Sequence, residues 1–263
     1  MNRLALPFDV MIFELRRSLT LGRIAIWVIL VAFPVAIVTA MSMIAKYNLG
    51  DKYNPEELIE PFGMTMYFLI PELTCLLGLL LWATPAVSTE IEGQTWVYLT
   101  MRSSGRGVVL LGKYLTSVVW TLSASLLAVA LCTIVVGPTI GAELWWALTQ
   151  LVILSCFAHA ALYLLIGTVF YRRTMVAAVL YTVLVEYVVS FIPALVNKFT
   201  INYRLRGLLA DWMDWKDARS QAENIFGSEP ASTHLQMLGI MIVVLLCAAL
   251  YRVERAEYPT QQE

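Results

Sequence analysis

Charged residues are scarce in this chain. Aspartate, glutamate, lysine and arginine make up 14% of its 263 residues, whereas 59% are hydrophobic. A water-soluble domain of this size needs a larger polar fraction to stay in solution. The net charge of −1 gives no general attraction to nucleic acid, so we expect no nucleic-acid partner. The composition therefore excludes an ordinary soluble domain and predicts a chain whose solvent is the lipid bilayer.

Cysteines and catalytic motifs are scarce as well. The chain has four cysteines, each alone in a separate apolar run, at Cys75, Cys132, Cys156 and Cys247. This spacing lacks the CxxC pairs of a zinc site, so buried and reduced thiols are expected. Neither HExxH nor GxSxG occurs in the sequence. We therefore predict a chain that is not an enzyme and that holds no metal or cofactor of its own.

Long apolar runs recur six times, near residues 24–45, 66–88, 114–136, 145–169, 176–196 and 235–251. Each approaches the roughly 20 residues that a helix needs to cross about 30 Å of hydrocarbon. The alternating segments of a transmembrane barrel do not occur. The sequence thus predicts an all-α, polytopic membrane protein with about six transmembrane helices, which form one domain over residues 1–263. Residues 46–65, which include Pro55 and Pro61, are predicted to form an ordinary loop.

The distribution of lysine and arginine predicts the orientation. Most of the 18 basic residues fall on the side that holds both termini and the segment 89–113. Basic residues in short loops mark the cytoplasmic side of a membrane protein. Both termini and residues 89–113 are therefore expected in the cytoplasm, and residues 197–234 outside it.

Two segments outside the apolar runs have helical periodicity. In residues 1–23 the apolar stripe consists of Phe8, Met11, Ile12, Leu15 and Leu19. It predicts an interfacial helix that contacts membrane lipid, with a solvated lead-in as the alternative. In residues 197–234 the stripe consists of Leu205, Leu208, Leu209, Trp212 and Met213. It predicts an amphipathic helix on the outer leaflet, anchored by Trp212 and Trp215.

The sequence from Gly107 to Lys113 matches the phosphate-binding pattern GxxxxGK, but Tyr114 stands where serine or threonine would hold magnesium. No predicted strand precedes it, and its residues begin an apolar helix. We interpret the match as accidental. If the chain works with ATP, another subunit must bind the nucleotide.

Eight residues between positions 89 and 113 follow an ordered pattern of acids, a Gly-Thr-like pair, arginines and a Gly-Lys pair. They are Glu90, Glu92, Gly93, Thr95, Arg102, Arg106, Gly112 and Lys113. With the Tyr114-Leu115 pair that follows, the stretch resembles the cytoplasmic loop of ABC-2 type transporter permeases. The chain departs from that family at Ser103-Ser104-Gly105, where the family commonly has a proline.

The resemblance implies a permease subunit of an ATP-driven exporter in the inner membrane of a prokaryote. Such permeases pair with a second permease subunit, identical or different, and with ATP-binding subunits that hold ATP and magnesium. The eight residues would couple the chain to the ATPase, and a short helix continuous with the third span would act as a stiff lever. The alternative is a solvated loop whose charges only follow the positive-inside rule.

Five polar residues within the apolar runs are candidates for the substrate pathway: Glu72, Glu186, Ser155, His159 and Tyr163. An ionisable group inside a membrane span is expensive and often functional. Ser155, His159 and Tyr163 follow one another at intervals of four, so they share a helix face. The alternative role for all five is to hold helices together through hydrogen bonds.

Three other functions stay open at this point. An intramembrane enzyme would hydrolyse a substrate without an ATPase partner. A membrane assembly scaffold would co-purify with proteins that are not ATPases. A proton-coupled carrier that uses Glu186 and Glu72 would keep working after ATP is depleted.

Overall fold

The computed structural model of the chain describes residues 6–50, 54–93, 95–96, 105–189, 195–215 and 229–258. Within these ranges every regular element is a helix, which confirms the all-α class for the described residues. The helices are α1 (Leu6–Ser18), α2 (Leu21–Leu49), α3 (Ile59–Tyr67), α4 (Cys75–Trp82), α5 (Ser88–Glu92), α6 (Gly105–Val136), α7 (Pro138–Val169), α8 (Thr174–Tyr181), α9 (Ile201–Met213) and α10 (Ala231–Arg255).

Irregular helical turns extend several of these elements. A π-helical segment, Phe68–Thr74, joins α3 to α4, and a second one, Thr182–Val188, continues α8. Short 3₁₀ turns form at Glu56–Leu58, Thr84–Ala86 and Leu195–Phe199. The stretch Glu56–Ala86 is therefore a single long helical rod with a π-helical middle.

Five helical stretches in the described residues are long and apolar enough to cross a membrane, as in a multi-pass membrane protein. They are α2, Glu56–Ala86, α6, α7 and α10. The run predicted at 176–196 corresponds to the shorter apolar helix Thr174–Val188, and residues 190–194 of that run lie outside the described ranges. The total of six spans stays a prediction.

The predicted loop at 46–65 is wrong in large part. Helix α2 continues to Leu49, and the next helical stretch begins at Glu56. Pro55 directly precedes that stretch, and Pro61 lies in the first turn of α3. Amide groups in a first turn have no partner within their helix, so proline removes no hydrogen bond there. The two prolines mark a helix start, and the apolar rod is longer than the apolar run suggested.

Helices α6 and α7 form a hairpin at the centre of the bundle. Gly137 connects them with a φ of 103°, a backbone conformation that favours glycine. The carbonyl of Thr133 occupies the space where a side chain at Gly141 would project, so the two helices leave the turn in close contact. Helices α1, α2, α4 and α10 pack around the hairpin, and the core along α7 includes buried Leu144, Leu148 and Leu151.

Helix α1 confirms the predicted N-terminal helix and packs along the start of α6. Val10 fills the space beside Gly112, where a Cβ would collide with it. The indole Nε1 of Trp120 donates a hydrogen bond to Ser18 Oγ at 2.7 Å. Phe8 and Ile12 of the predicted stripe are exposed, so α1 presents one face to the bundle and an apolar surface away from it.

Helix α9 confirms the helix predicted within residues 197–234, but it is buried more deeply than a helix resting on a leaflet would be. Leu205, Leu208 and Leu209 are fully buried against the bundle. Helices α7 and α10 are the main neighbours of α9. Trp215, predicted as an interfacial anchor, packs against Gly63 of α3. The apolar stripe therefore faces protein.

The bundle has two ends, which differ in charge. The basic end holds α1, α5, the start of α6 and the last turn of α10 with Arg252 and Arg255. The far end holds the Gly137 turn, Glu56 and the last turn of α9. Helix α6 connects the two ends without interruption in its 32 residues, and its first nine residues are continuous with the apolar run predicted at 114–136.

Candidate functional site

Glu90 and Lys113 form the centre of an ion-pair cluster at the basic end. The Lys113 ammonium lies 2.6 Å from Glu90 Oε1 and 3.7 Å from Glu14 Oε1. Arg17 adds a longer contact of 3.9 Å to Glu90. The cluster, which we call the coupling cluster (Glu14, Arg17, Glu90, Thr95 and Lys113), therefore joins α1, α5 and α6 through side chains of opposite charge.

Burial separates the strong contact in the coupling cluster from the weak one. The side chains of Glu90 and Lys113 are 6% and 12% exposed, whereas that of Arg17 is 60% exposed. An exposed ion pair contributes little because water and salt screen it. A buried charge left without its partner is costly. The Glu90–Lys113 pair thus fixes α5 against α6, and Arg17 adds little.

Thr95 completes the surroundings of Glu90. Its hydroxyl lies within hydrogen-bonding distance of the Glu90 carboxylate and, at 3.2 Å, of the Glu90 carbonyl. Burial alone would raise the pKa of Glu90, but the charge of Lys113 and the hydrogen bonds from Lys113 and Thr95 outweigh it, and the pKa is lowered. Glu90 is therefore a carboxylate at neutral pH, as an ion pair with Lys113 requires.

Two backbone turns define the local structure around Glu90. Helix α5 ends at Glu92, and the Gly93 amide donates to the Thr89 carbonyl at 3.0 Å. The Thr95 amide then donates to the Glu90 carbonyl at 3.0 Å. These turns keep Thr95 beside Glu90 and leave Glu92 and Gly93 exposed.

Arg106 belongs to a second group at the basic end, built mainly from aromatic rings. Its guanidinium lies 5.9 Å from the centre of the Trp96 ring and donates to the Ala256 carbonyl at 2.8 Å. Tyr258 packs edge-on against Trp96 at 5.1 Å and against Tyr171 at 5.2 Å. This group, the aromatic clasp (Trp96, Arg106, Tyr171 and Tyr258), connects the segment after α10 to the segment after α5, to the start of α6 and to the turn between α7 and α8.

The structure brings together some of the predicted coupling residues and separates others. Glu90, Thr95 and Lys113 share the coupling cluster. Gly112 lies one residue before Lys113 and touches α1. Arg106 belongs to the aromatic clasp, and Arg102 lies outside the described residues.

Glu72 lies within the bundle and pairs with a residue that the sequence analysis did not select. Its two carboxylate oxygens accept hydrogen bonds from Arg206 Nε at 2.7 Å and Arg206 Nη2 at 3.2 Å. Glu72 is fully buried in the π-helical segment that follows α3. Two parallel contacts of this kind are the strong geometry for arginine and carboxylate. Glu72 therefore holds α9 to the rod Glu56–Ala86.

Glu186 contacts the first residues of the same helix, α9. Its carboxylate accepts hydrogen bonds from the backbone amides of Ile201 at 3.3 Å and Asn202 at 3.1 Å. The first turn of α9 contains no acidic residue of its own. Amides at a helix start have no partner within the helix, and the helix dipole attracts negative charge there. Glu186 thus stabilises the start of α9 from the neighbouring span.

Ser155, His159 and Tyr163 form the predicted stripe along α7, and all three are fully buried. Ser155 Oγ donates to the Pro71 carbonyl at 2.6 Å, and His159 Nδ1 lies 3.0 Å from the Ser155 carbonyl. Tyr163 shares a 2.6 Å hydrogen bond with Thr182. These contacts connect α7 to both π-helical segments. They are contacts that hold helices together, and the transport role of the five pathway residues stays a prediction.

Arg206, Asn202, Trp96 and Tyr258 are the partners that sequence reasoning missed. Arg206 lies 134 positions from Glu72 in the chain, and Arg106 lies 150 positions from Ala256. No spacing rule connects residues so far apart. The sequence contained one usable signal: a buried carboxylate such as Glu72 needs a cation as its partner. That requirement would have indicated the arginines of α9.

A scan against protein-family models gives no match for this chain, and a search of curated proteins gives none either.

Proposed function

We propose that the chain is the transmembrane permease subunit of an ATP-driven ABC-2 type exporter. In this proposal it forms half of the substrate pathway together with a second permease subunit, identical or different. A separate ATP-binding subunit holds ATP and magnesium and contacts residues 89–113 in the cytoplasm of a prokaryote. The chain itself supplies no catalytic group.

The observation that carries the proposal is the Glu90–Lys113 ion pair. A coupling subunit needs a contact site outside the membrane that is fixed to a rod inside it. Glu92 and Gly93 offer an exposed contact site, and Glu90 ties that site to Lys113 in α6 at 2.6 Å. Because α6 continues unbroken to Val136, a displacement of α5 would move the central hairpin.

Helix α1 supports the same mechanism. It lies against α6 at Gly112 and reaches Lys113 through Glu14. A partner that moved α1 or α5 would therefore act on the same rod. At the other end of the path, α9 is tied to two further helices by Glu72 and Glu186. Movement of the hairpin relative to those helices would strain the contacts of α9 and open the interface between spans.

The test is a charge reversal at the exposed contact site. Glu92→Lys should reduce recovery of the ATP-binding subunit on an affinity-tagged permease and lower the ATPase rate of the purified complex several-fold, because electrostatic complementarity governs partner choice. Glu56→Lys is the matched control, since Glu56 is also an exposed glutamate but lies at the far end. Full assembly and full ATPase activity of the Glu92→Lys complex would contradict the proposal.

A further inference from the structure

A cavity of about 450 Å³ opens at the far end of the bundle, between the start of α7 and the last turn of α9. Its lining residues are Glu143, Trp146, Ala147, Gln150, Trp212 and Met213. This volume falls in the range of pockets that hold small organic ligands. The coupling cluster lies at the other end of α6, so the cavity is a separate site from that cluster.

The described residues of the cavity wall carry a negative charge. Among them Glu143 is the one ionisable residue, and no salt bridge within the described ranges joins it to another residue. Trp212 and Met213 belong to the last turn of α9, which contains no basic residue. The positive dipole end of α7 and the negative dipole end of α9 both border the cavity and offset each other, so the carboxylate of Glu143 sets the sign of the charge. The cavity therefore favours a cation over an anion.

Two tryptophans determine which kind of cation fits. Trp146 comes from α7 and Trp212 from α9, so indole rings are available from two different helices. The face of an indole attracts a cation that has shed its water, and a quaternary ammonium sheds water most readily. A hard divalent ion needs several oxygen ligands instead. No group of three or more metal-ligating side chains occurs in the described residues.

We infer that this cavity binds a quaternary ammonium group, held between Trp146 and Trp212 with Glu143 as the counter-charge. The group reaches the site either as a free organic cation or as the choline headgroup of a phospholipid. Both sources present the same trimethylammonium chemistry. The site does not rest on the permease function, since binding to it requires neither ATP nor a partner subunit.

The first measurement is choline binding to the full chain in phosphatidylglycerol nanodiscs, which contain no quaternary ammonium. Titration calorimetry should give saturable binding of choline and at least about tenfold weaker binding of 3,3-dimethylbutanol, the neutral isostere. Equal affinity for the two compounds, or no saturable binding of choline, would overturn the inference.

Variants identify the site. Trp146→Leu, Trp212→Leu and Glu143→Gln should each raise the Kd for choline at least about threefold. Trp145→Leu is the matched control, because Trp145 is the adjacent residue of α7 but lines a different groove with Thr133 and Gly137. Trp146 is 67% exposed, so its replacement should leave the unfolding temperature unchanged. An equal loss of binding in Trp145→Leu would place the ligand elsewhere.

A second lipid composition of the nanodisc distinguishes a free organic cation from a lipid headgroup as the ligand. In phosphatidylcholine nanodiscs, occupation of the cavity by lipid headgroups should weaken choline binding severalfold in the wild type. Unchanged choline affinity in those nanodiscs, with the same sensitivity to Trp146→Leu, would show that the site takes a free organic cation. Both results retain a quaternary ammonium site.

Discussion

At the scale of single residues, the buried carboxylates Glu72, Glu90 and Glu186 each have partners on another helix. Glu90 meets Lys113, and Glu72 meets Arg206, in both cases across two elements. Charges in a sparse, apolar chain are expensive unless they are paired. The few that occur inside the bundle therefore determine which helices stay together.

Removal of one charged partner from the coupling cluster should therefore lower the stability of the folded chain. We expect Glu90→Gln to lower the free energy of unfolding by about 1–3 kcal/mol, because the buried Lys113 keeps only its longer contact with Glu14. Lys113→Gln should cost a similar amount, and the double variant less than the sum of the two. Thermal unfolding in detergent measures all three. Arg17→Ala is the control and should cost less than about 0.5 kcal/mol, since its contact with Glu90 is exposed.

The Glu90–Lys113 ion pair also predicts how the stability of the folded chain depends on pH. The pKa of Glu90 is lowered in the folded chain, against the ordinary value of 4.5. A lowered carboxyl pKa contributes stability that is full above the unfolded pKa and is lost as the pH falls through the folded one. The difference in unfolding temperature between wild type and Glu90→Gln should therefore be constant above about pH 6 and shrink below about pH 4. A difference that grew on acidification would contradict the assignment.

At the scale of elements, helical periodicity predicted α1 and α9, and hydrophobic length predicted the five long apolar stretches. The prediction of a loop at residues 46–65 failed, because Pro55 and Pro61 are equally compatible with a loop and with a helix start. It also misjudged the surroundings of α9. The apolar stripe of that helix indicated burial but could not tell lipid from protein as the covering medium.

The carboxylate of Glu186 gives a direct test of how α9 is held. Glu186→Leu should leave the amides of Ile201 and Asn202 buried without acceptors, at a cost of about 1–3 kcal/mol. Hydrogen exchange in the peptide covering α9 should then rise by about tenfold or more, while peptides from α1 keep their protection. Glu186→Gln is the matched control, because its amide oxygen still accepts one of the two hydrogen bonds. Unchanged exchange of α9 in Glu186→Leu would exclude Glu186 as the stabilising group.

At the scale of the whole molecule, contacts at the two ends are connected through the α6–α7 hairpin. The coupling cluster and the aromatic clasp bind α1, α5 and the segment after α10 to the hairpin at the basic end. The Glu72–Arg206 pair and the Glu186 contacts bind α9 to the bundle closer to the far end. A force applied at one end has a continuous helical path to the other, and the proposed function requires the basic end to face the ATPase.

Orientation in the membrane is therefore the property on which the coupling proposal depends. Glu92→Cys and Glu56→Cys place single exposed cysteines at opposite ends of the bundle, in a background where the four native cysteines are replaced by alanine. Because basic residues mark the cytoplasmic side, a membrane-impermeant maleimide should label Glu56→Cys in intact cells. It should label Glu92→Cys only after the membrane is opened. Labelling of Glu92→Cys in intact cells would put residues 89–113 outside, where no ATP-binding subunit could reach Glu92, and the permease function would have to be abandoned.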